Sequence, residues 1–412
     1  EEEEEALAPG LVANGGAWLS SSVSILGNAM LKGFTTYRLP NLRVVGAIAK
    51  TNYSPSSIFR GAGQPQTAFI MEYAMEQLCQ RLAPSSIPRG VAIRALNLVS
   101  DGVLAPFGQP YRDVPLQRAF SELCEDAEVD ARIEIIDAFN AKSRWQKRGL
   151  AVVPTVRHVS LGKQWDNQGA CLLNLYTDGS VIAHTGGIEM GQGLHTKIAQ
   201  VIAGELGVEM SEVRIAEVST DAVPNTSATA GSTGADLNAA AAIDACRVLM
   251  QRLQPVRELL GPGATMAQLA DEARARRIPL SATGFHYSDV GGFDWTTGQG
   301  VEWAGKQPAV PQEQAAAVTA EGAAGAEPLP PRVQTTLADY FAIGACCTEV
   351  SVDVLTGEYV ITRADAVVDA GQSLNPALDI GQVEGAIVQG IGYHATEEIE
   401  VGSSTSHRWL PA

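Results

Sequence analysis

Gly186-Gly187-Ile188-Glu189-Met190-Gly191-Gln192-Gly193-Leu194-His195-Thr196 is the stretch on which the reading of this chain turns. An apolar run, Val181, Ile182 and Ala183, precedes it. Ile198, Val201, Ile202 and Leu206 follow at helical spacing. The local order is therefore strand, glycine turn, helix. Glycines in such a turn let backbone N–H groups approach an anionic ligand at the helix N-terminus. Gln192 adds a side-chain amide that both donates and accepts, which suits the edge of a heterocycle. On the residues alone, a tight turn without a ligand stays open. A dinucleotide turn is the third reading, but Gly191-x-Gly193-x-x-Thr196 lacks the third small residue of that fingerprint. His195 is the one histidine near the turn, and capping or packing accounts for it more simply than metal ligation.

Outward from the turn, Leu172–Tyr176 and Val181–Ala183 flank Asp178-Gly179 and read as a hairpin. A short strand is expected at 213–218 and an alanine-rich helix at 235–259. Glu349–Val354 alternates strictly, Thr356-Gly357 turns, and 359–368 returns, giving a second hairpin. A helix over 377–391 follows Asn375-Pro376. The two hairpin–helix units, 171–206 and 344–391, share their order, which leaves an internal repeat open. Towards the N-terminus, residues 27–63 read as extended segments and turns. Phe69, Met71, Ala74, Met75, Leu78 and Leu82 predict a helix over 67–82. A further helix is expected over 129–148, closed by Gly149.

The 412 residues carry a formal net charge of −17, which argues against nucleic-acid and anionic membrane surfaces as partners. No apolar run of about 18 residues is present, so no membrane-spanning helix is expected. The acidic start, Glu1–Glu5, is the opposite of a secretory leader's basic segment. The six cysteines, Cys79, Cys124, Cys171, Cys246, Cys346 and Cys347, form no C-x-x-C pair. They read as free thiols in a reducing, cytoplasmic compartment, and no iron–sulfur or zinc spacing is present. Adjacent Cys346 and Cys347 fall on opposite faces of a strand and are poor joint ligands. Residues 303–335 are rich in alanine, proline, glycine and glutamine and read as a low-complexity insertion.

Four segments together resemble one family. They are Phe59-Arg60-Gly61-Ala62-Gly63, the Gly186–Thr196 turn, Asn225-Thr226-Ser227-Ala228-Thr229-Ala230-Gly231-Ser232, and Ser373-Leu374-Asn375-Pro376-Ala377-Leu378-Asp379-Ile380-Gly381-Gln382-Val383-Glu384-Gly385-Ala386. In this order they are similar to the molybdenum hydroxylases, the xanthine dehydrogenase and aldehyde oxidase family, collinear from about 20 to 400. The resemblance implies an α+β fold with mixed sheets, packed helices and two similar molybdopterin-binding subdomains, truncated at both ends. The expected division is a disordered acidic tip at 1–20 and part of the first subdomain at 21–150. The second subdomain is expected at 151–302 and 336–400, around the 303–335 insertion, with a tail at 401–412.

The resemblance also implies a molybdenum–molybdopterin cofactor held by backbone amides and glutamines, with no protein ligand to the metal. Met190, Gly191 and Gln192 would line the pterin, and Ala230, Gly231 and Ser232 would form a second cradle. Gln382 would reach the cofactor from the start of the last helix, and Phe59 and Arg60 would lie beside the molybdenum. The family also uses 2Fe-2S clusters and FAD, for which this chain has no matching segment. Asn28, Ala62, Leu161 and Gly162 would line the substrate pocket. Where xanthine-type members have an arginine and two phenylalanines, this chain has Asn28, Ala62 and Leu161, which favours an aldehyde or another N-heterocycle over a purine. The implied reaction is hydroxylation with water as the oxygen source. The family's Gly-Glu-Pro-Pro segment, with its catalytic glutamate, has no counterpart here, and Glu327-Pro328 lies out of order. No catalytic residue is therefore assigned, and the chain alone is expected to be inactive. The competing expectation is a non-catalytic structural or interaction chain that keeps part of the fold. Family members are commonly homodimers.

Overall fold

The computed structural model describes residues 10–17, 21–82, 87–161, 167–288, 290, 292–294, 299–301 and 337–397. In chain order the elements begin with β1 (Gly10–Gly16), α1 (Ser22–Lys32), β2 (Val45–Lys50), α2 (Gln64–Leu82) and α3 (Ile87–Asn97). Next come α4 (Leu116–Asp126), α5 (Val129–Lys142), β3 (Gln146–Val159), β4 (Gln168–Leu175), β5 (Val181–Thr185) and α6 (Leu194–Leu206). These are followed by β6 (Val213–Ile215), α7 (Gly234–Leu260), α8 (Met266–Ala275), β7 (Ser281–Tyr287), β8 (Gly292–Asp294) and β9 (Gln299–Val301). The described chain closes with β10 (Tyr340–Asp353), β11 (Tyr359–Asp369) and α9 (Pro376–Ile391). Helices mix with parallel and antiparallel strands, which is the expected α+β class.

Two compact units are present. One comprises Glu1–His158, Tyr340–Ser373 and Ile380–Ala412, and the other comprises Val159–Asp339 and Leu374–Asp379.

In the first unit β1 and β2 pair in parallel, joined by the crossover helix α1. β10 lies between β11 and β3, and β10–β11 is the antiparallel hairpin foreseen from its alternation. Leu116, Ala119, Phe120 and Leu123 of α4 are buried, one apolar face at helical spacing. Arg132 of α5 is also buried and reaches Glu349 and Asp365, each at 2.9 Å. Two carboxylates around one guanidinium satisfy a charge that burial would otherwise penalise.

In the second unit the sheet order is β6-β5-β4-β7. Cys171, Leu173 and Leu175 alternate inward on β4, and Val181 and Ala183 do so on β5. They meet Ile198 and Ile202 of α6 and Ala241, Ala245, Leu249 and Leu253 of α7. The alanines bring α7 close to the strands. At Gly284 a Cβ would stand 2.2 Å from the Ala241 carbonyl oxygen, so only glycine allows that approach.

Several expectations need correction. Ser22–Lys32 is a helix where 27–63 was read as extended, because Leu26 and Ala29 form its buried stripe. Gly10–Gly16 is a strand inside the segment read as a disordered tip, since it has β2 to pair with. The helix over 129–148 stops at Lys142, and Gln146 already begins β3, so Gly149 lies within a strand. Asn140 ends that helix by bonding the Arg148 backbone through both its amide oxygen and nitrogen. The strand expected over 213–218 is limited to Val213–Ile215. Cys347 is buried and Cys346 half-buried, as opposite faces require, and all six cysteines are free. The 303–335 insertion and Gly162 lie outside the described residues.

Candidate functional site

The Gly186–Thr196 turn joins β5 to α6, and its own side chains satisfy its backbone. The Glu189 carboxylate accepts from the N–H groups of Gly191 at 2.9 Å, Gly193 at 2.9 Å and His195 at 3.0 Å. Burial alone would raise its pKa. The three backbone N–H groups, together with nearby His195, outweigh that and hold it below the usual value. The helix-terminal anion position foreseen for a ligand is thus occupied by this chain's own carboxylate. That corrects the sequence reading, which did not weigh Glu189. Gln192 is drawn inward as well: its Oε1 accepts from Met190 N at 2.6 Å and its Nε2 donates to the Ile188 carbonyl at 2.8 Å. The His195 ring stands 2.9 Å from the Gly187 carbonyl, so it braces the turn.

What the turn presents outward is Met190, 66% exposed, and the backbone at Gly191. Gly191 has φ +94° with open space where a Cβ would point, which leaves room for a flat group against the chain.

Residues 225–233 pack against this turn. Ile188 N–H donates to the Thr229 hydroxyl at 2.9 Å, and Gly186 abuts Thr226. Gly231 and Ser232 both have φ +65°, successive left-handed residues just before the N-terminus of α7. Such a pair curls backbone N–H groups into a concave anion nest. Leu161 lies beneath it: a Cβ on Gly231 would meet the Leu161 side chain at 2.8 Å. Met190, Gly191, Gln192, Ala230, Gly231, Ser232 and Leu161 therefore belong to one neighbourhood of the second unit. Leu374–Asp379 closes on α6 there, with Lys197 and Asp379 paired at 2.9 Å and Asn375 donating to Gln200 at 2.9 Å.

The first unit holds the other expected residues. Arg60 donates to Gln382 at its carbonyl, 3.1 Å, and its Oε1, 3.0 Å, and to Gln389 Oε1 at 3.3 Å. Two residues assigned from distant segments thus meet. Gln382 lies well inside α9 and not at its start. Among the described residues the hydrogen-bond partners of Arg60 are neutral amides. Phe59 stacks on Tyr393, ring centroids 5.2 Å apart. Ala62 sits at φ +47° between Gly61 and Gly63, in a tight turn where Ala62 N–H donates to Phe59 O at 2.9 Å. Gly63 presses on α1 at the Ile25 carbonyl and Ala29, next to Asn28.

Sequence reasoning missed three residues near this turn. Lys32, 7% exposed, ends α1, and its carbonyl accepts from Thr35 Oγ1 at 3.0 Å and Gln64 Nε2 at 3.2 Å. The same Thr35 hydroxyl donates to Val156 O at 2.9 Å, which ties the end of α1 to β3 just before Arg157 and His158. A run of basic residues in a segment not read as a strand gave no periodic signal that they were buried.

A molybdopterin cofactor-binding domain model matches residues 122–407, and a second model of that description matches 5–97. The chain belongs to the molybdenum hydroxylases. It is 36% identical over 398 residues to a xanthine dehydrogenase of Oryza sativa subsp. japonica, covering 96% of this chain and 26% of that protein. It is 38% identical over 386 residues to aldehyde oxidase 2 of Cavia porcellus, covering 94% of this chain and 26% of that one. This chain thus spans about a quarter of the length of those relatives. Its fold matches quinoline 2-oxidoreductase of Pseudomonas putida 86 with a TM-score of 0.73 at 20% identity, covering 95% of this chain and 48% of that one. The aldehyde oxidoreductase of Desulfovibrio gigas matches with a TM-score of 0.71 at 22% identity, covering 92% and 37%. Among the described residues no group of histidine, cysteine, aspartate and glutamate could hold a metal ion. No described helix is long and apolar enough to cross a membrane.

Proposed function

We propose that this chain supplies the cofactor cradle and part of the substrate pocket of a molybdenum-dependent hydroxylase that oxidises aldehydes or N-heterocycles with water as the oxygen source. The observation that carries the reading is the pairing of the two glycine turns through Ile188 and Thr229. The open backbone at Gly191 and the left-handed pair Gly231-Ser232 would then face one ligand, a flat pterin bearing an anionic tail. Met190 and Gly191 would lie along the ring, with Gln192 fixing their conformation from behind. Ala230, Gly231 and Ser232 would donate to the anionic end. Phe59, Arg60 and Gln382 would flank the metal end, and Asn28, Ala62, Leu161 and Gly162 the substrate. When bound, the cofactor supplies the oxygen and electron transfer, while the protein supplies position and electrostatics.

The purine-binding arginine and phenylalanines expected of xanthine-type members have no equivalent at Asn28, Ala62 and Leu161, which supports an aldehyde or another N-heterocycle as substrate. The test is molybdenum and pterin content of the chain purified from cells that make the cofactor, compared with Gly231→Val. A β-branched residue at φ +65° would crowd Leu161 and close the nest. The expected result is metal and pterin on the wild type and at least about tenfold less on a folded Gly231→Val, the loss of a few charge-assisted bonds. Equal content in both would remove the nest from the site. Neither group on a folded wild type would favour the non-catalytic chain.

A further inference from the structure

Two sheet edges of this chain are closed off by side chains, and a third is not. β3 is one edge of the three-stranded sheet. Asn140 bonds both backbone groups of Arg148 there, while Thr36 accepts from Val156 N–H and Thr35 donates to the Val156 carbonyl. In the second unit β7 is an edge strand, and the Asp244 carboxylate accepts from Phe285 N–H at 3.1 Å. The opposite edge of the three-stranded sheet is β11. Among the described residues no side chain or backbone group bonds its outer edge, and no residue of the strand is buried. A long open edge of this kind is a template for one more strand.

The residues of β11 say which strand fits. Its register against β10 is unbroken from Arg363 to Asp369, and the one irregularity lies beyond, where Thr362 is the extra residue between Ile361 and Arg363. Within the regular stretch the sequence is complementary to itself in the antiparallel sense. With a two-fold axis at Ala366, Arg363 stands opposite Asp369 of a second copy, and Asp369 opposite its Arg363. Ala364 stands opposite Val368 in the same way, and Ala366 opposite itself. Val368 is 50% exposed and gains an apolar neighbour. Asp365 falls opposite Val367, at little cost because Arg132 and Arg363 already hold that carboxylate at 2.9 Å and 2.7 Å. The charges also fix the register. Moving the axis to Asp365 sets that residue against itself, and moving it to Val367 sets Asp365 against Asp369, like charges directly opposed in both cases. Moving it to Ala364 draws the Thr362 bulge into the ladder.

We propose that the outer edge of β11 docks a second copy of this chain, β11 against β11 over Arg363–Asp369, to make one sheet across a two-fold axis. Such an interface is isologous, with each pair made twice. The shape beside the strand end supports it. Ala119 of α4 with Val367, Val368 and Gly371 lines an open groove of about 290 Å³, and Arg118 and Glu122 lie at the same groove. Past Asp369, the partner strand runs on from its Arg363 towards its exposed Val360, an apolar residue for that groove.

The test uses the purified chain and needs no cofactor, so its outcome is separate from the molybdenum content that tests the hydroxylase reading. Sedimentation equilibrium at micromolar concentrations should show a reversible dimer. Arg363→Asp and Asp369→Arg should each weaken it about tenfold or more, since either one opposes like charges twice. The double variant should recover most of the loss, which a merely misfolded strand would not do. Register is read by cross-linking in a Cys346→Ser background, because Cys346 lies opposite Ala366 on β10. Ala366→Cys should join two chains through a short bifunctional maleimide, and Ala364→Cys should not. A folded wild type that stays monomeric, a dimer that ignores both charge variants, or cross-linking at 364 in place of 366 would each overturn the proposal.

Discussion

The glycine turn at 186–196 and the basic junction of α1 with β3 treat polar groups in opposite ways. In the turn, Glu189 and Gln192 engage the backbone at 188, 190, 191, 193 and 195, so its shape is built in before any ligand arrives. At the junction, both ring nitrogens of His158 and the Arg157 Nε are buried with no hydrogen-bond partner among the described residues. A self-satisfied loop holds its own shape, whereas buried donors without a hydrogen-bond partner carry a desolvation penalty. The difference teaches that a glycine-rich helix start is not by itself an anion site, because a neighbouring carboxylate can fill it. It also teaches that basic residues can be buried in a segment without any motif.

The largest effect should come from removing the Lys32 charge, which burial penalises. Lys32→Met is expected to stabilise the chain by about 1–4 kcal/mol, as when buried charges are replaced by apolar groups. The sign with pH is defined by a folded pKa of about 7 against 10.5. The folded state binds fewer protons between those values, so the penalty is complete below pH 7 and is relieved as pH rises towards 10. The advantage of Lys32→Met should therefore shrink from pH 7 to pH 10 in denaturant titrations. A constant or growing advantage would mean that Lys32 is not held near neutrality.

Next in size is Glu189→Ala, which strips the acceptor from three N–H groups. Solvent reaches the turn, so the expected cost is about 1–2 kcal/mol, below that of a buried network. Added acetate should restore part of the lost stability of the variant and leave the wild type unchanged, since the vacated nest accepts a carboxylate. No acetate effect would mean that the three amides do not act as one anion site. The Glu189 pKa is depressed in the fold. Its contribution is thus complete above the unfolded pKa and is lost as pH falls through the folded one, so wild type and variant should converge in acid.

A small effect is expected at Ala62, held at φ +47° beside the junction. Ala62→Gly should stabilise by about 0.5–1 kcal/mol by relieving a left-handed alanine, offset in part by unfolded-state entropy. Destabilisation on thermal melting would show that the methyl group is packed and not strained.

Much of this was legible in the sequence because it is periodic or local. The β4–β5 and β10–β11 hairpins, α6, α7 and α9 follow from alternation, turn pairs and helical spacing. β3 was missed because Lys147, Arg148 and Pro154 interrupt its pattern, and α1 because its buried stripe is short. The pairing of Arg60 with Gln382 spans 322 residues and rests on tertiary approach alone, so only the family resemblance placed both in one site. The role of Glu189 was hidden for a different reason. Its side chain folds back onto the amides that its own loop offers, and no spacing rule marks that choice.

The contrast between turn and nest can be read amide by amide. Hydrogen exchange of the chain would be followed under anaerobic conditions with and without molybdopterin. The account predicts that the cofactor slows exchange at Gly231 and Ser232 and leaves Gly191, Gly193 and His195 unchanged, since Glu189 already holds those three. Protection gained at 191, 193 and 195, or at none of these positions, would contradict it.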